Sequence, residues 1–378
     1  MASGTRLAAL AVGMLLLLVA CGGDEADVVA TEAPPATPGD ATGTATGTEG
    51  TEEPAAGDGA TESQATQAAG VFEGETIELV VPYEAGGGYD QYGRLMAPFL
   101  ADCLSADVIV LNEPGAGGLL ATSQTAVAPP EGTRVQLIST IGAISAQIAE
   151  AEGVNFDVNE LSWLARFAAE PLVVSVAPDS EFETFQDMID ADRPIRFAST
   201  GPGSLDYITP TLLSQVYGFD IELITGFAGT GESQTSVTRG DADAYAVFLD
   251  SGLQFIEAGE ARPLVLVGGE GSDAVADTPT TDDVPPEDEA DRAVLDAYIA
   301  LAETGRALLG APDLPDDVLQ ALRDGLACAL TNEDFQAQSD QAGRPIAYLS
   351  GEETAELVQS VTQDSPQAFQ DLIRETFG

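Results

Sequence analysis

The 378-residue chain has neither histidine nor lysine; its thirteen basic residues are all arginine, against 63 aspartates and glutamates, for a formal charge of -50. These absences exclude chemistries. A Ser-His-Asp or Cys-His unit needs an imidazole, a Walker A loop or pyridoxal Schiff base needs a lysine, and histidine zinc sites need histidine. No metal and no cofactor are expected. Carboxylate-pair hydrolysis needs only acids and survives this filter, but 63 acids make some pair inevitable, and Trp163, the single tryptophan, offers no sugar platform. The chain is therefore not read as an enzyme. Nucleic acid is not expected as a partner either, because phosphate binding needs clustered cations.

Long apolar runs are scarce as well. Leu7 to Ala20 falls short of the ~20 residues of a spanning helix, and with Arg6 ahead of it residues 1–20 read as an export signal. Leu18, Val19 and Ala20 before Cys21 resemble a bacterial lipobox, which implies cleavage before Cys21 and its lipidation. The mature chain is then extracytoplasmic and lipid-anchored to the cell membrane. Residues 21–73 form an acidic tether: 22–70 carry ten carboxylates, no basic residue and few branched aliphatics, too little apolar surface to offset chain entropy. Disorder is expected there. Without those ten carboxylates the charge is still about -40, a surface suited to a halophilic setting, where the Debye length falls to about 3 Å at 1 M salt. Cys103 and Cys328 remain after Cys21, and the sequence leaves open whether they are bridged or free.

From residue 74 onward short apolar runs alternate with helical periodicity. Ile77–Val81, Val108–Leu111 and Val135–Ser139 read as strands, with helices opening at Asp90 and Leu119 between them. A second series reads as strands at Leu172–Val176, Ile195–Ala198, Ile221–Ile224, Ala244–Phe248 and Leu264–Val267, with helices at Phe182–Asp190, Tyr207–Tyr217 and Glu232–Arg239. Residues 269–291 read as an acidic loop, and 292–309, 315–331, 333–342 and 351–376 as helices. The alternation predicts α/β lobes with parallel sheets. Residues 74–170 with 268–378 are assigned to lobe 1 and residues 171–267 to lobe 2.

Glycine-bearing loops at successive strand ends, each opening a helix, are the chemical signal. Ligands of open parallel sheets bind at that edge, and free N–H groups at a helix start hold an anion without a cationic side chain. The run Gly115 to Ala121 superficially matches a dinucleotide fingerprint, but an exported, tethered chain argues for capture of a solute at the cell surface.

The run Val80-Val81-Pro82-Tyr83-Glu84-Ala85-Gly86-Gly87-Gly88-Tyr89-Asp90, with Arg94 after it, and the run Asn112-Glu113-Pro114-Gly115-Ala116-Gly117-Gly118 resemble two motifs of the tripartite tricarboxylate transporter receptors, the Bug family. Ser199 to Ile208, Phe227-Ala228-Gly229 and Asp277 to Thr280 resemble further segments, so the likeness runs from about residue 75 to 378. It implies the type II periplasmic-binding-protein fold, two α/β lobes around a ligand cleft with C-terminal helices, and delivery of a small carboxylate to a membrane permease of one large and one small subunit. Tyr207 and Ala228 depart from the histidine and lysine usual in the family. The cleft is assigned to Tyr83, Glu84, Ala85, Gly86, Gly87, Gly88 and Asp90 from lobe 1 and Ser199, Thr200, Gly201, Gly203, Ser204, Tyr207, Phe227, Gly229 and Thr230 from lobe 2. Backbone N–H groups and Ser204 would hold the carboxylate, Tyr83 would cover it, and Asp90 reads more readily as a helix N-cap than as a ligand contact. A monomer is expected.

Overall fold

A computed structural model describes residues 70–269 and 271–377. The export signal, Cys21 and the tether up to residue 69 lie outside the described residues.

The chain builds two mixed sheets. The first has the order β11-β4-β10-β3-β1-β2, from β1 (Thr76–Val81), β2 (Asp107–Asn112), β3 (Arg134–Ser139), β4 (Ser162–Ala168), β10 (Arg306–Gly310) and β11 (Leu349–Ser350). The second has the order β7-β6-β8-β5-β9, from β5 (Leu172–Val176), β6 (Ile195–Ser199), β7 (Ile221–Thr225), β8 (Ala244–Phe248) and β9 (Arg262–Val267). The helices are α1 (Gly88–Leu104), α2 (Leu119–Ala126), α3 (Thr140–Ile148), α4 (Phe185–Ile189), α5 (Leu205–Tyr217), α6 (Thr230–Arg239), α7 (Leu249–Glu257), α8 (Glu289–Ala302), α9 (Asp316–Leu330), α10 (Glu333–Gln341), α11 (Gly351–Asp364) and α12 (Gln367–Phe377). The sheets are not purely parallel as the alternation suggested. β1 pairs in parallel with β2 and β3, but β10 runs antiparallel between β3 and β4, and β5 runs antiparallel between β8 and β9.

α1 forms because Tyr89, Tyr92, Met96, Leu100 and Leu104 recur at helical spacing and bury one face. Gly93 lets the helix lie flat on Val81 of the sheet beneath. Ser105, with φ 52°, stops it in the left-handed conformation, its N–H bonded to the carbonyls of Ala101 and Asp102. The largest core joins both sheets: Ile138 and Ile141 from the first side, Val174, Phe197 and Leu212 from the second, and Tyr298, Phe369 and Ile373 from the C-terminal helices. α12 packs on α3, α5 and α8 at once, so the last residues of the chain pin the two lobes together on that side.

The reading of 292–309 as one helix is corrected: α8 ends at Ala302, and Arg306–Gly310 is β10, the middle of the first sheet. Gly305 makes the break, with φ 67° and the Ala168 carbonyl so close that a Cβ there would overlap it. The stretch 351–376 is likewise two helices, because Pro366 follows Ser365, which has φ -59° and ψ 130°.

Cys103 of α1 is disulfide-bonded to Cys328 of α9 across a sequence separation of 225. Closing so long a loop restricts the unfolded chain strongly, and about 2–4 kcal/mol of stabilisation is the usual yield. Reduction, or the double change Cys103→Ser with Cys328→Ser, is expected to lower urea-unfolding stability by that amount. Thiol titration of the denatured, unreduced protein should find neither cysteine, and titration of both would refute the bond.

Candidate functional site

The C-terminal ends of β1, β6, β7 and β8 face one cavity, and each is followed by a helix whose first turn or N-cap lines it. Gly87, Gly88 and Tyr89 belong to the start of α1, Ser204, Leu205 and Asp206 to α5, Gly229 and Thr230 to α6, and Phe248 and Ser251 to α7. Because β10 is antiparallel, its first residue, Arg306, arrives at the same edge. Tyr83, Glu84, Thr200 and Val247 complete the lining of the cavity. The first N–H groups of a helix have no acceptor within it. Four such ends around one cavity make a positive field from the main chain alone.

The first glycine loop is braced from behind. Asp90 accepts from the Gly86 N–H at 2.8 Å, from Arg94 Nε at 2.9 Å and from Asn112 Nδ2 at 2.9 Å, while Asn112 Nδ2 also donates to the Tyr83 carbonyl at 2.9 Å. Burial pushes the Asp90 carboxyl up, but these bonds outweigh it and hold it below the ordinary aspartate range. The N-cap expectation is corrected: the cap is Gly87, which has no side chain, and Asp90 lies inside the helix. It gathers the loop instead.

In the opposing wall Asp206 accepts from Ser199 Oγ, Thr200 Oγ1 and Thr200 N, each at 3.1 Å, and from Ser204 Oγ. Burial pushes its carboxyl up to about 6 despite these donors. A raised folded pKa means that stability from this group is complete below about pH 4 and is lost as pH rises through about 6. An anion placed beside it raises the pKa further. Binding of a fully ionised dicarboxylate near pH 6 is therefore expected to take up protons, measurable by calorimetry in buffers of different ionisation enthalpy, and to take up fewer in Asp206→Asn. Proton release on binding would contradict this.

A buried charge cluster joins the two sides. Arg306 donates through Nη1 and Nη2 to Asp250 at 3.0 and 2.8 Å and through Nη2 to Ser251 at 3.0 Å, and Arg344 Nη1 donates to Asp250 at 2.9 Å. All three charged side chains are at most 2% exposed. The Arg306 guanidinium lies 4.1 Å from the Phe248 ring centroid and 5.2 Å from that of Tyr89. Burial pushes the Asp250 carboxyl up, and the two guanidiniums outweigh it and keep it low.

Of the sixteen residues assigned from sequence, Tyr83, Glu84, Gly87, Gly88, Thr200, Ser204, Gly229 and Thr230 line the cavity; Ala85, Gly86, Asp90, Ser199, Gly201, Gly203, Tyr207 and Phe227 do not. The Tyr83 hydroxyl donates to the Gly117 carbonyl at 2.9 Å, and the Ser204 hydroxyl is committed to Gly201 and Asp206. Tyr207 instead reaches the Thr376 carbonyl near the C terminus. Sequence reasoning missed Tyr89, Leu205, Asp206, Val247, Phe248, Ser251 and Arg306. The second glycine motif does not line the cavity but seats the lobes: a Cβ on Gly117 would stand 2.5 Å from Gly203 C and Ser204 N, and one on Gly142 would overlap the Gly203 carbonyl.

Fold and site define a two-lobed periplasmic-type solute-binding protein of type II architecture. Residues 93–373 match the Tripartite tricarboxylate transporter family receptor, and the chain belongs to that family. Protein BugT of Bordetella pertussis is 25% identical over 217 residues, 56% of this chain and 66% of BugT. A relative from Agrobacterium vitis is matched over 63% of its length, so the chain spans less than two thirds of these curated relatives. Among solved structures, the periplasmic binding protein BugD superposes with a TM-score of 0.67 at 19% identity, covering 80% of this chain and 97% of BugD. MatC from Rhodopseudomonas palustris with bound malate superposes with a TM-score of 0.67 at 20% identity, covering 79% of this chain and 98% of MatC. These likenesses establish the fold. Family and structural neighbours are binding proteins rather than enzymes. Among the described residues no helix is long and apolar enough to cross a membrane.

Proposed function

We propose that this chain is an extracytoplasmic receptor that captures a small organic carboxylate and hands it to a permease of one large and one small membrane subunit. The carrying observation is the convergence of four helix N-termini from both lobes, with Arg306, on one cavity. In this reading lobe 1 comprises residues 74–170 and 268–378 and lobe 2 residues 171–267, and a lipid on Cys21 with the tether beyond it keeps the monomeric receptor at the membrane. The malate held by the similarly folded MatC supports a dicarboxylate as the first ligand to test.

Mass spectrometry of small molecules released from the denatured protein should find an organic acid. A thermal-shift panel of di- and tricarboxylates, amino acids and aromatic acids in molar NaCl should raise the Tm with at least one. The long-range field of an acidic body repels an anion at low ionic strength, whereas contacts inside the cavity are little screened. Affinity is therefore expected to rise with added NaCl, provided circular dichroism shows the protein folded throughout. No shift from any acid, and no released ligand, would overturn the receptor reading.

A further inference from the structure

Beside the cavity lie three buried polar atoms that make no hydrogen bond of good geometry. The Tyr89 hydroxyl, the Ser139 hydroxyl and Arg306 Nε are buried without a hydrogen-bond partner, in residues that are 8%, 5% and 1% exposed. They are neighbours. Ser139 and Arg306 are register partners in the β3–β10 ladder, the Arg306 guanidinium lies 5.2 Å from the Tyr89 ring, and the Ser139 hydroxyl lies within reach of the phenols of Tyr83 and Tyr89, as Arg306 does of Tyr89, without the alignment of a formed hydrogen bond. Tyr89 and Arg306 line the cavity itself.

Unmated buried donors are costly in a folded protein, each at the expense of a hydration it has lost. Three side by side, two of them in residues that line the cavity, indicate an acceptor that arrives from outside. Charge points the same way: Arg306 and Arg344 share the single carboxylate of Asp250, and Glu170, which also feels Arg306, has its carboxyl pushed by burial and by Asp250 up to about 7, so it balances the excess only in part. All three groups can donate to an oxyanion, and Arg306 Nε is the one guanidinium nitrogen that bonds to neither Asp250 nor Ser251.

We propose that Tyr89, Ser139 and Arg306 form a side-chain oxyanion subsite, distinct from the main-chain N–H groups of the helix starts, which takes one carboxylate of the solute stripped of its water. The subsite rests on the receptor reading and names the residues that select an ionised group over a neutral one. The solute's carboxylate then completes the charge balance of the Arg306–Asp250–Arg344 cluster, so occupancy of the cavity and the link between the lobes are coupled.

The test uses variants that remove only the unmated groups, Tyr89→Phe, Ser139→Ala and the two combined, titrated calorimetrically with malate and with adipate in molar NaCl. Each single change should weaken binding of the dicarboxylate that the wild type binds by about tenfold, the scale of one hydrogen bond to a charged group, and the pair by more. The Tm without ligand should stay level or rise, because neither hydroxyl makes a well-aligned hydrogen bond that would be lost. Affinities within twofold of wild type in all three variants would overturn the subsite while leaving the receptor reading intact. A lowered Tm without ligand, with affinity falling only in step with it, would show that the hydroxyls serve the fold and would also overturn it. If the wild type binds neither probe nor any other acid of the panel, the receptor reading fails and the subsite with it.

Discussion

Replacing Asp250 with alanine is expected to destabilise the protein by about 3–5 kcal/mol, the cost of breaking a buried ion pair and leaving its partners uncompensated. Two guanidiniums, Arg306 and Arg344, would lose their shared carboxylate at once while staying almost fully buried. Urea unfolding at fixed ionic strength measures the loss, and a difference under 1 kcal/mol would refute the role given to this cluster. The pH dependence has a definite sign. A folded-state carboxyl held below its ordinary range contributes stability above about pH 4 and loses it as the pH falls toward the lowered value, so wild type and Asp250→Ala should converge in acid. Converging at alkaline pH instead would show that another group carries the effect.

The second large effect concerns the contact between the glycine loops. Gly142 lies within α3, where alanine is intrinsically the better helix former, so Gly142→Ala should stabilise the protein if only local structure mattered. Its Cβ would instead overlap the carbonyl of Gly203 across the lobe boundary. Overpacking of this kind costs about 1–3 kcal/mol, and if the lobes part to relieve it, carboxylate affinity falls by about 5- to 150-fold. Gly203→Ala, which meets Leu119 and the Ala116 carbonyl, should behave alike. Calorimetric titration measures the affinity and small-angle scattering the separation of the lobes. Unchanged affinity in both variants would mean that the backbones need not approach this closely for binding.

The strand–loop–helix units with glycine or proline between them were legible because these residues punctuate the chain at the strand ends. Thus the loops at Tyr83–Gly88, Thr200–Ser204 and Gly229–Thr230 were found, and half of the assigned residues reach the cavity. Arg306 was missed for a definite reason. Its strand, Arg-Ala-Leu-Leu-Gly, is buried throughout, and a short continuous apolar run beside a helix cannot be told from more helix by periodicity. β4 (Ser162–Ala168) and α3 (Thr140–Ile148), also largely buried, carry the same ambiguity. The brace formed by Asp90, Arg94 and Asn112 was visible as a motif, but its role was not, because it depends on two strand ends lying side by side. Tyr89 shows the limit from the other direction: it stands inside the recognised motif, yet only packing decides that its ring turns to the cavity.

The helix starts that surround the cavity have a consequence for how such a protein can change over generations. A main-chain N–H is supplied by every residue except proline, so this part of the site is encoded by chain path rather than by side-chain identity. The chain has no lysine or histidine and a strongly acidic composition, and neither property touches the N–H groups at Gly88, Leu205 and Thr230. In the proposed receptor, a lineage with this architecture can rewrite its exterior while the chain path that would hold an anion stays the same. The changes that would end that recognition are few and local: a proline at a helix start, or a side chain at one of the glycines where the backbones meet.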